Sequence, residues 1–106
     1  MFYKIDENKN VVPATRDEFA VFCNDIENKT VKREDYKNLH VSTVFLGLSH
    51  EFNSSKPGKF FETMIFDSNR FESGDIDYQT RCDTWNEALK MHDAAKKYID
   101  KELESE

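Results

Sequence analysis

The sequence contains few of the residues that interrupt or cross-link a chain. Its 106 residues include three glycines, two prolines and two cysteines. Three scattered glycines cannot form the glycine-rich loop that holds phosphate groups in P-loop and dinucleotide-binding proteins. The two cysteines, Cys23 and Cys82, form no C-x-x-C pair, so neither a redox motif nor a zinc motif is indicated. Long apolar runs are also missing, and no stretch approaches the roughly 18 residues of a membrane span.

Length and composition predict a single domain over residues 1–106. Apolar residues are only 38% of the chain, but nine Phe, four Tyr and one Trp supply large side chains for a thin core. The net charge of −6 disfavours binding to a nucleic-acid backbone, which needs clustered Lys and Arg, and it permits a basic partner. The N-terminal residues lack a signal-peptide pattern, so we expect a cytoplasmic protein with both thiols free.

Two helices are predicted from capping boxes followed by apolar stripes. Thr15 with Glu18, and Thr84 with Glu87, have the spacing at which the two side chains cap the first turn reciprocally. One face of the first helix carries Phe19, Phe22, Cys23 and Ile26. The stripe of the last helix consists of Trp85, Ala88, Leu89, His92, Ala95, Ile99 and Leu103. Both stripes have helical periodicity and predict packing on a sheet, with Cys23 as a small buried residue.

The strand signals complete an α+β fold. Strands are predicted at residues 2–5 with Val11-Val12 as hairpin partner, and at residues 30–34, 39–48, 60–66 and 78–82, with loops at 49–59 and 67–77. The apolar run of 39–48 favours a central strand covered on both faces, and Gly47 predicts a bulge or a close backbone approach. The expected architecture is a three- to five-stranded, mostly antiparallel sheet with two helices packed on it. An edge at 30–34 or 78–82 can pair with a second copy, so a homodimer is left open.

Five residues are candidates for a binding site. His92 lies in the apolar stripe, either as a core-edge imidazole bonded to a carbonyl or carboxylate, or as a polar group aimed into a cleft. Glu62 interrupts an apolar strand and needs a partner, for which Arg81 is suited because its guanidinium binds carboxylates. The full set is His40, Glu62, Tyr78, Arg81 and His92.

No catalytic residue, metal ligand or cofactor is predicted. His40 and His50 are ten residues apart, roughly 33 Å along a straight strand, so they cannot share a metal ion. No other spacing resembles a zinc ligand set. Nucleophile and nucleotide motifs such as G-x-S-x-G and the Walker loop are also missing from the sequence.

Three segments carry a resemblance to a known group of proteins. They are residues 40–50 (HVSTVFLGLSH), residues 61–66 (FETMIF) and residues 81–92 (RCDTWNEALKMH). The sequence resembles a group of short, uncharacterised proteins of tailed phages and prophages. It departs from their pattern at Ser49, Cys82 and Met91, where Asp, Tyr and Gly are usual. The resemblance implies a phage origin and no particular activity.

Two functions are therefore predicted as alternatives. The first is a small phage accessory protein that acts without catalysis in the host cytoplasm by binding a host protein, such as a component of a defence system. The second is a small-molecule or nucleotide-binding protein, or a minor hydrolase, whose site lies between the sheet and the C-terminal helix. Binding to nucleic acid or to a membrane is not expected.

Overall fold

The computed structural model describes residues 2–37, 39–49, 58–67 and 75–104. The elements in chain order are β1 (Phe2–Ile5), β2 (Val11–Ala14), α1 (Arg16–Cys23), α2 (Ile26–Lys29), β3 (Thr30–Tyr36), β4 (Leu39–Phe45), β5 (Phe61–Asp67), β6 (Asp75–Cys82) and α3 (Trp85–Glu104). The α+β prediction is confirmed. The predicted loop at 49–59 and the position of His50 lie largely outside the described residues.

The first two strands form a separate hairpin. β1 and β2 pair antiparallel from Phe2 opposite Ala14 to Ile5 opposite Val11, as predicted. The Asp6 carboxylate accepts hydrogen bonds from the backbone of Asn8 and Asn10, at 2.9 Å each, and so fixes the connecting turn.

The remaining strands form a four-stranded antiparallel meander in the order β3-β4-β5-β6. β4 and β5 are the central strands, and their register runs without interruption from Leu39 opposite Asp67 to Phe45 opposite Phe61. The two edges are β3 and β6, as predicted. β6 is longer than the predicted strand and begins at Asp75 rather than Tyr78, because pairing with β5 overrides the polar composition of residues 75–77.

Helix α3 covers one face of this sheet. Alternate residues of the central strands point toward it and are almost completely buried: Val41, Thr43, Phe45, Phe61, Thr63 and Ile65. The facing helix residues Ala88, His92, Ala95 and Ile99 are equally buried. Two of these are alanines, which let the helix axis approach the strands closely. Leu89 was predicted on this stripe but is 39% exposed, because the buried residues define a narrower face than the sequence pattern suggested.

The first predicted helix divides into two. α1 ends at Cys23, and the Asp25 side chain caps a new single turn, α2, by accepting from the backbone of Glu27. The predicted capping box of Thr15 and Glu18 is present in full. After the break, Ile26 stays 62% exposed and does not extend a buried stripe.

Gly47 confirms the predicted close backbone approach. Its φ is +78°, and a Cβ at this position would overlap the Phe19 ring. Just beyond β4, the Gly47 carbonyl accepts from the backbone of Tyr3 at 2.9 Å. The hairpin and α1 are thereby joined to the end of the sheet.

The predicted cover of β4 on both faces is complete on the α3 side and only partial on the other side among the described residues. Ser42, Val44 and Leu46 point away from α3 and are half-buried. Of the described helices, only α1 and α2 approach this second face, at one end. No helix in the described residues is long and apolar enough to cross a membrane.

Candidate functional site

The five predicted site residues lie on two sides of the sheet. His92 and Tyr78 face the layer between the sheet and α3, where Tyr78 stacks against Tyr98 with ring centroids 4.7 Å apart. His40, Glu62 and Arg81 point to the opposite face, because they occupy the alternate positions of their strands. The sheet separates the two groups, so the five residues do not form one site between the sheet and the helix.

A continuous chain of hydrogen bonds passes through His92. The Thr63 and Thr43 hydroxyls are 2.5 Å apart, and Thr43 Oγ1 lies 2.8 Å from His92 Nδ1. On the other side of the ring, His92 Nε2 lies 2.8 Å from Glu34 Oε1. A neutral imidazole with its proton on Nε2 satisfies every contact: it donates to Glu34 and accepts from Thr43, which accepts from Thr63.

The electrostatics support this arrangement of protons. Burial lowers the pKa of His92, against the opposing effect of the Glu34 carboxylate. The hydrogen bond from His92 lowers the pKa of Glu34, and Lys96, at 3.4 Å, acts in the same direction. A neutral imidazole therefore faces an ionised carboxylate.

Hydroxyl, imidazole and carboxylate follow one another here in the order found in serine hydrolases. A nucleophile must, however, reach its substrate, and Thr43, Thr63 and His92 each have 0% of their surface exposed. The chain of hydrogen bonds instead ties β3, β4 and β5 to α3. Of the two predicted roles for His92, the core-edge imidazole bonded to a carboxylate matches this geometry.

Sequence reasoning missed the two partners of His92, Thr43 and Glu34, and Thr63 behind them. Thr43 and Thr63 resembled ordinary strand residues, and Glu34 lies 58 residues away in the chain. The available signal was the alternation of side chains between the two faces of a strand. Thr43 has the same parity as Val41 and Phe45, so it had to face the same layer.

On the other face, the predicted pairing of Glu62 with Arg81 is present. Glu62 Oε2 accepts from Arg81 Nε at 2.9 Å and from the Gln79 amide at 2.5 Å. The Glu62 side chain is 12% exposed and that of Arg81 37% exposed, so the carboxylate is largely covered while the guanidinium reaches solvent.

His40 lies on the same face, near the other end of β4. Its Nδ1 is 2.9 Å from Asp35 Oδ1, and 83% of the Asp35 side chain is exposed. His40 Nε2 is buried and has no hydrogen-bond partner among the residues that the structure describes. The Asp35 contact therefore fixes the ring orientation while one ring nitrogen stays unpaired.

We call the face of the meander that points away from α3 the open face. It consists of Arg33, Asp35, His40, Ser42, Val44, Glu62, Met64, Phe66, Gln79 and Arg81. An exposed face of an antiparallel sheet is normally polar. Here its centre carries Val44, Met64 and Phe66, each half-buried.

A groove of about 660 Å³ lies where α1 and α2 meet the open face, and we call it the α1–α2 groove. Its apolar lining is formed by Phe19, Ile26, Val44, Phe45, Leu46 and Phe66, and its polar lining by Cys23, Lys29, Thr30, Arg33 and Ser42. Both charged residues are cations. Sequence reasoning missed this groove because α1 and α2 meet β4 only in the tertiary structure.

No group of three or more His, Cys, Asp or Glu side chains suited to a metal ion occurs in the described part of the chain. Comparison of the chain with protein-family models, with curated proteins and with solved structures finds no match. The interpretation of function therefore depends on the geometry of the open face and the α1–α2 groove.

Proposed function

We propose that this chain is a small phage accessory protein that acts without catalysis, by binding a host protein in the host cytoplasm. The phage origin follows from the sequence resemblance. The binding role follows from the open face. A component of a host defence system is the partner class that we favour.

The single observation that supports binding is the apolar centre of the open face. Val44, Met64 and Phe66 occupy positions where a solvated antiparallel sheet would carry polar residues. Apolar patches rimmed by polar residues are typical of protein-binding surfaces. The polar rim is also present, with the Arg81–Glu62 pair at one edge and the Asp35–His40 pair at the other.

Catalysis is disfavoured by the burial of the hydroxyl–imidazole–carboxylate chain. The predicted alternative, a ligand or hydrolase site between the sheet and α3, has to use this layer. Ala88, His92 and Ala95 fill it completely, each with 0% exposure. Close packing there supports a structural role and a non-enzymatic function.

Site-directed photocrosslinking tests the proposal. A photoreactive phenylalanine analogue such as p-benzoylphenylalanine replaces Met64 on the open face, and the matched control carries it at Ala94, on the exposed side of α3. After irradiation in lysate of infected cells, we expect a discrete host-protein adduct from position 64 and none from position 94.

A second variant tests the apolar centre itself. Met64→Glu places a charge among Val44 and Phe66, and we expect it to abolish capture of that host protein, whereas Ala94→Glu retains capture. Equal adducts from both positions, or undiminished capture by Met64→Glu, would contradict the open face as the binding surface. Absence of any adduct would contradict the binding function.

A further inference from the structure

The α1–α2 groove has the size and lining of a small-molecule site. Pockets that hold small ligands have volumes of about 300–1,000 Å³ and mostly apolar walls with a few polar groups. The volume of about 660 Å³ lies within this range. The floor is formed by Val44 and Leu46, and Phe19 of α1 forms the facing wall.

The charged groups of the groove have one sign. Lys29 of α2 and Arg33 of β3 line it, and none of the described lining residues is acidic, although the chain has 21 acidic and 15 basic residues. Neither cation forms an ion pair within the described residues. Asp35, two residues beyond Arg33, is instead paired with His40.

A head-group position is defined by the register of the strands. Arg33 of β3 is paired with Ser42 of β4, so a guanidinium and a hydroxyl project from neighbouring strands at the same level. Arg side chains bind carboxylates with directed, charge-assisted hydrogen bonds. Ile26 of α2 also lines the groove and, at 62% exposure, offers apolar surface that a ligand would remove from water.

From this juxtaposition we propose that the α1–α2 groove binds an amphipathic monocarboxylate. The carboxylate is held by Arg33 with Ser42 and assisted by Lys29, while an aliphatic tail lies between Phe19, Ile26 and Val44. This inference goes beyond the proposed protein partner and does not depend on it, since the ligand binds the isolated chain.

Decanoate is the probe, used below its micelle concentration and followed by isothermal titration calorimetry. Each methylene buried contributes about fourfold in affinity, so we expect decanoate, which is two methylenes longer, to bind roughly 15-fold tighter than octanoate. Decylammonium has the same tail and the opposite charge, and we expect it to bind at least tenfold more weakly than decanoate. Equal binding of the two, or no binding of decanoate at millimolar concentration, overturns the proposal.

Charge-removal variants locate the head group. Arg33→Gln is expected to weaken decanoate binding about tenfold, because one charge-assisted contact is lost. Lys97→Gln, on the exposed side of α3, is the matched control and should bind as the unchanged chain does. An Arg33→Gln variant that keeps full affinity overturns the assignment of the head-group position.

Alkylation of Cys23 by iodoacetamide locates the tail independently. Cys23 lines the groove and is half-buried, whereas Cys82 is buried in the core and serves as the internal reference. Bound decanoate is expected to slow alkylation of Cys23 several-fold without changing Cys82. If decanoate binds and Cys23 reacts at its original rate, the ligand occupies another place and the proposal fails. Failure of decanoate to bind would leave the host-protein proposal standing, because that proposal is tested separately at position 64.

Discussion

Replacing His92 by Ala tests the buried hydrogen-bond chain. The imidazole lies between Thr43, at 2.8 Å, and Glu34, at 2.8 Å, and its exposure is 0%. Removal leaves an unfilled space under α3. It also leaves the two Thr hydroxyls with only each other, so that one of their two protons has no acceptor.

The expected cost follows from these losses. A buried donor left unpaired costs about 1–3 kcal/mol. The cavity left by a truncated side chain adds a comparable amount. Glu34 contributes little, because its side chain is 28% exposed and Lys96 lies 3.4 Å away. We therefore expect a loss of about 3 kcal/mol, which lowers the melting temperature of a chain of this size by roughly 10–20 °C.

Urea unfolding followed by circular dichroism measures this loss directly. Arg81→Ala is the matched control, because Glu62 keeps its hydrogen bond from Gln79 and the loss of one contact should cost about 1 kcal/mol. Equal losses in the two variants, or a loss below about 1 kcal/mol in His92→Ala, would refute a structural role for the buried chain. A stable His92→Ala variant that failed to bind its partner would indicate a functional role instead.

Two further predictions concern the loss of stability at acidic pH and the backbone conformation at Gly47. Burial lowers the folded-state pKa of His92 below its ordinary 6.5. The contribution of the neutral imidazole to stability is therefore complete above pH 6.5 and is lost as the pH falls through the lowered value, so the free energy of unfolding should decrease over that interval. A His92→Gln variant that folds yet keeps the same slope of unfolding free energy against pH would contradict this assignment. Gly47→Ala should cost about 2 kcal/mol or more in thermal unfolding, because φ is +78° and the new Cβ meets the Phe19 ring, and an unchanged melting temperature would show that α1 does not pack there.

The elements were readable from sequence because their signals are local. The Thr15–Glu18 box marks a helix start within four residues, and the structure contains it in full. The Thr84–Glu87 box likewise marks the start of α3, where the Thr84 hydroxyl accepts a hydrogen bond from the backbone of Glu87 at 3.2 Å. The β-branched run of residues 41–45 likewise specifies a strand without reference to the rest of the chain.

Errors arose where a second segment decides the outcome. The helix pattern continues through Ile26, but Asp25 caps a new turn and Ile26 is left 62% exposed. β6 begins at Asp75 because β5 offers it a partner, although residues 75–77 have loop-like composition. Leu89 fits the periodicity of α3, yet the width of the sheet-facing stripe depends on how closely the two alanines let the helix approach.

For the candidate sites, the sequence by itself determined that Glu62 needs a partner and that Arg81 can supply it, as the structure shows. Only the tertiary structure decided which side of the sheet each residue occupies. Strand register places Glu34 and Thr43 on neighbouring strands under α3, where both contact His92. It also brings Arg33 and Ser42 together beside the groove. These contacts join residues that are distant in the chain, and a shift of one position would move every side chain of a strand to the opposite face.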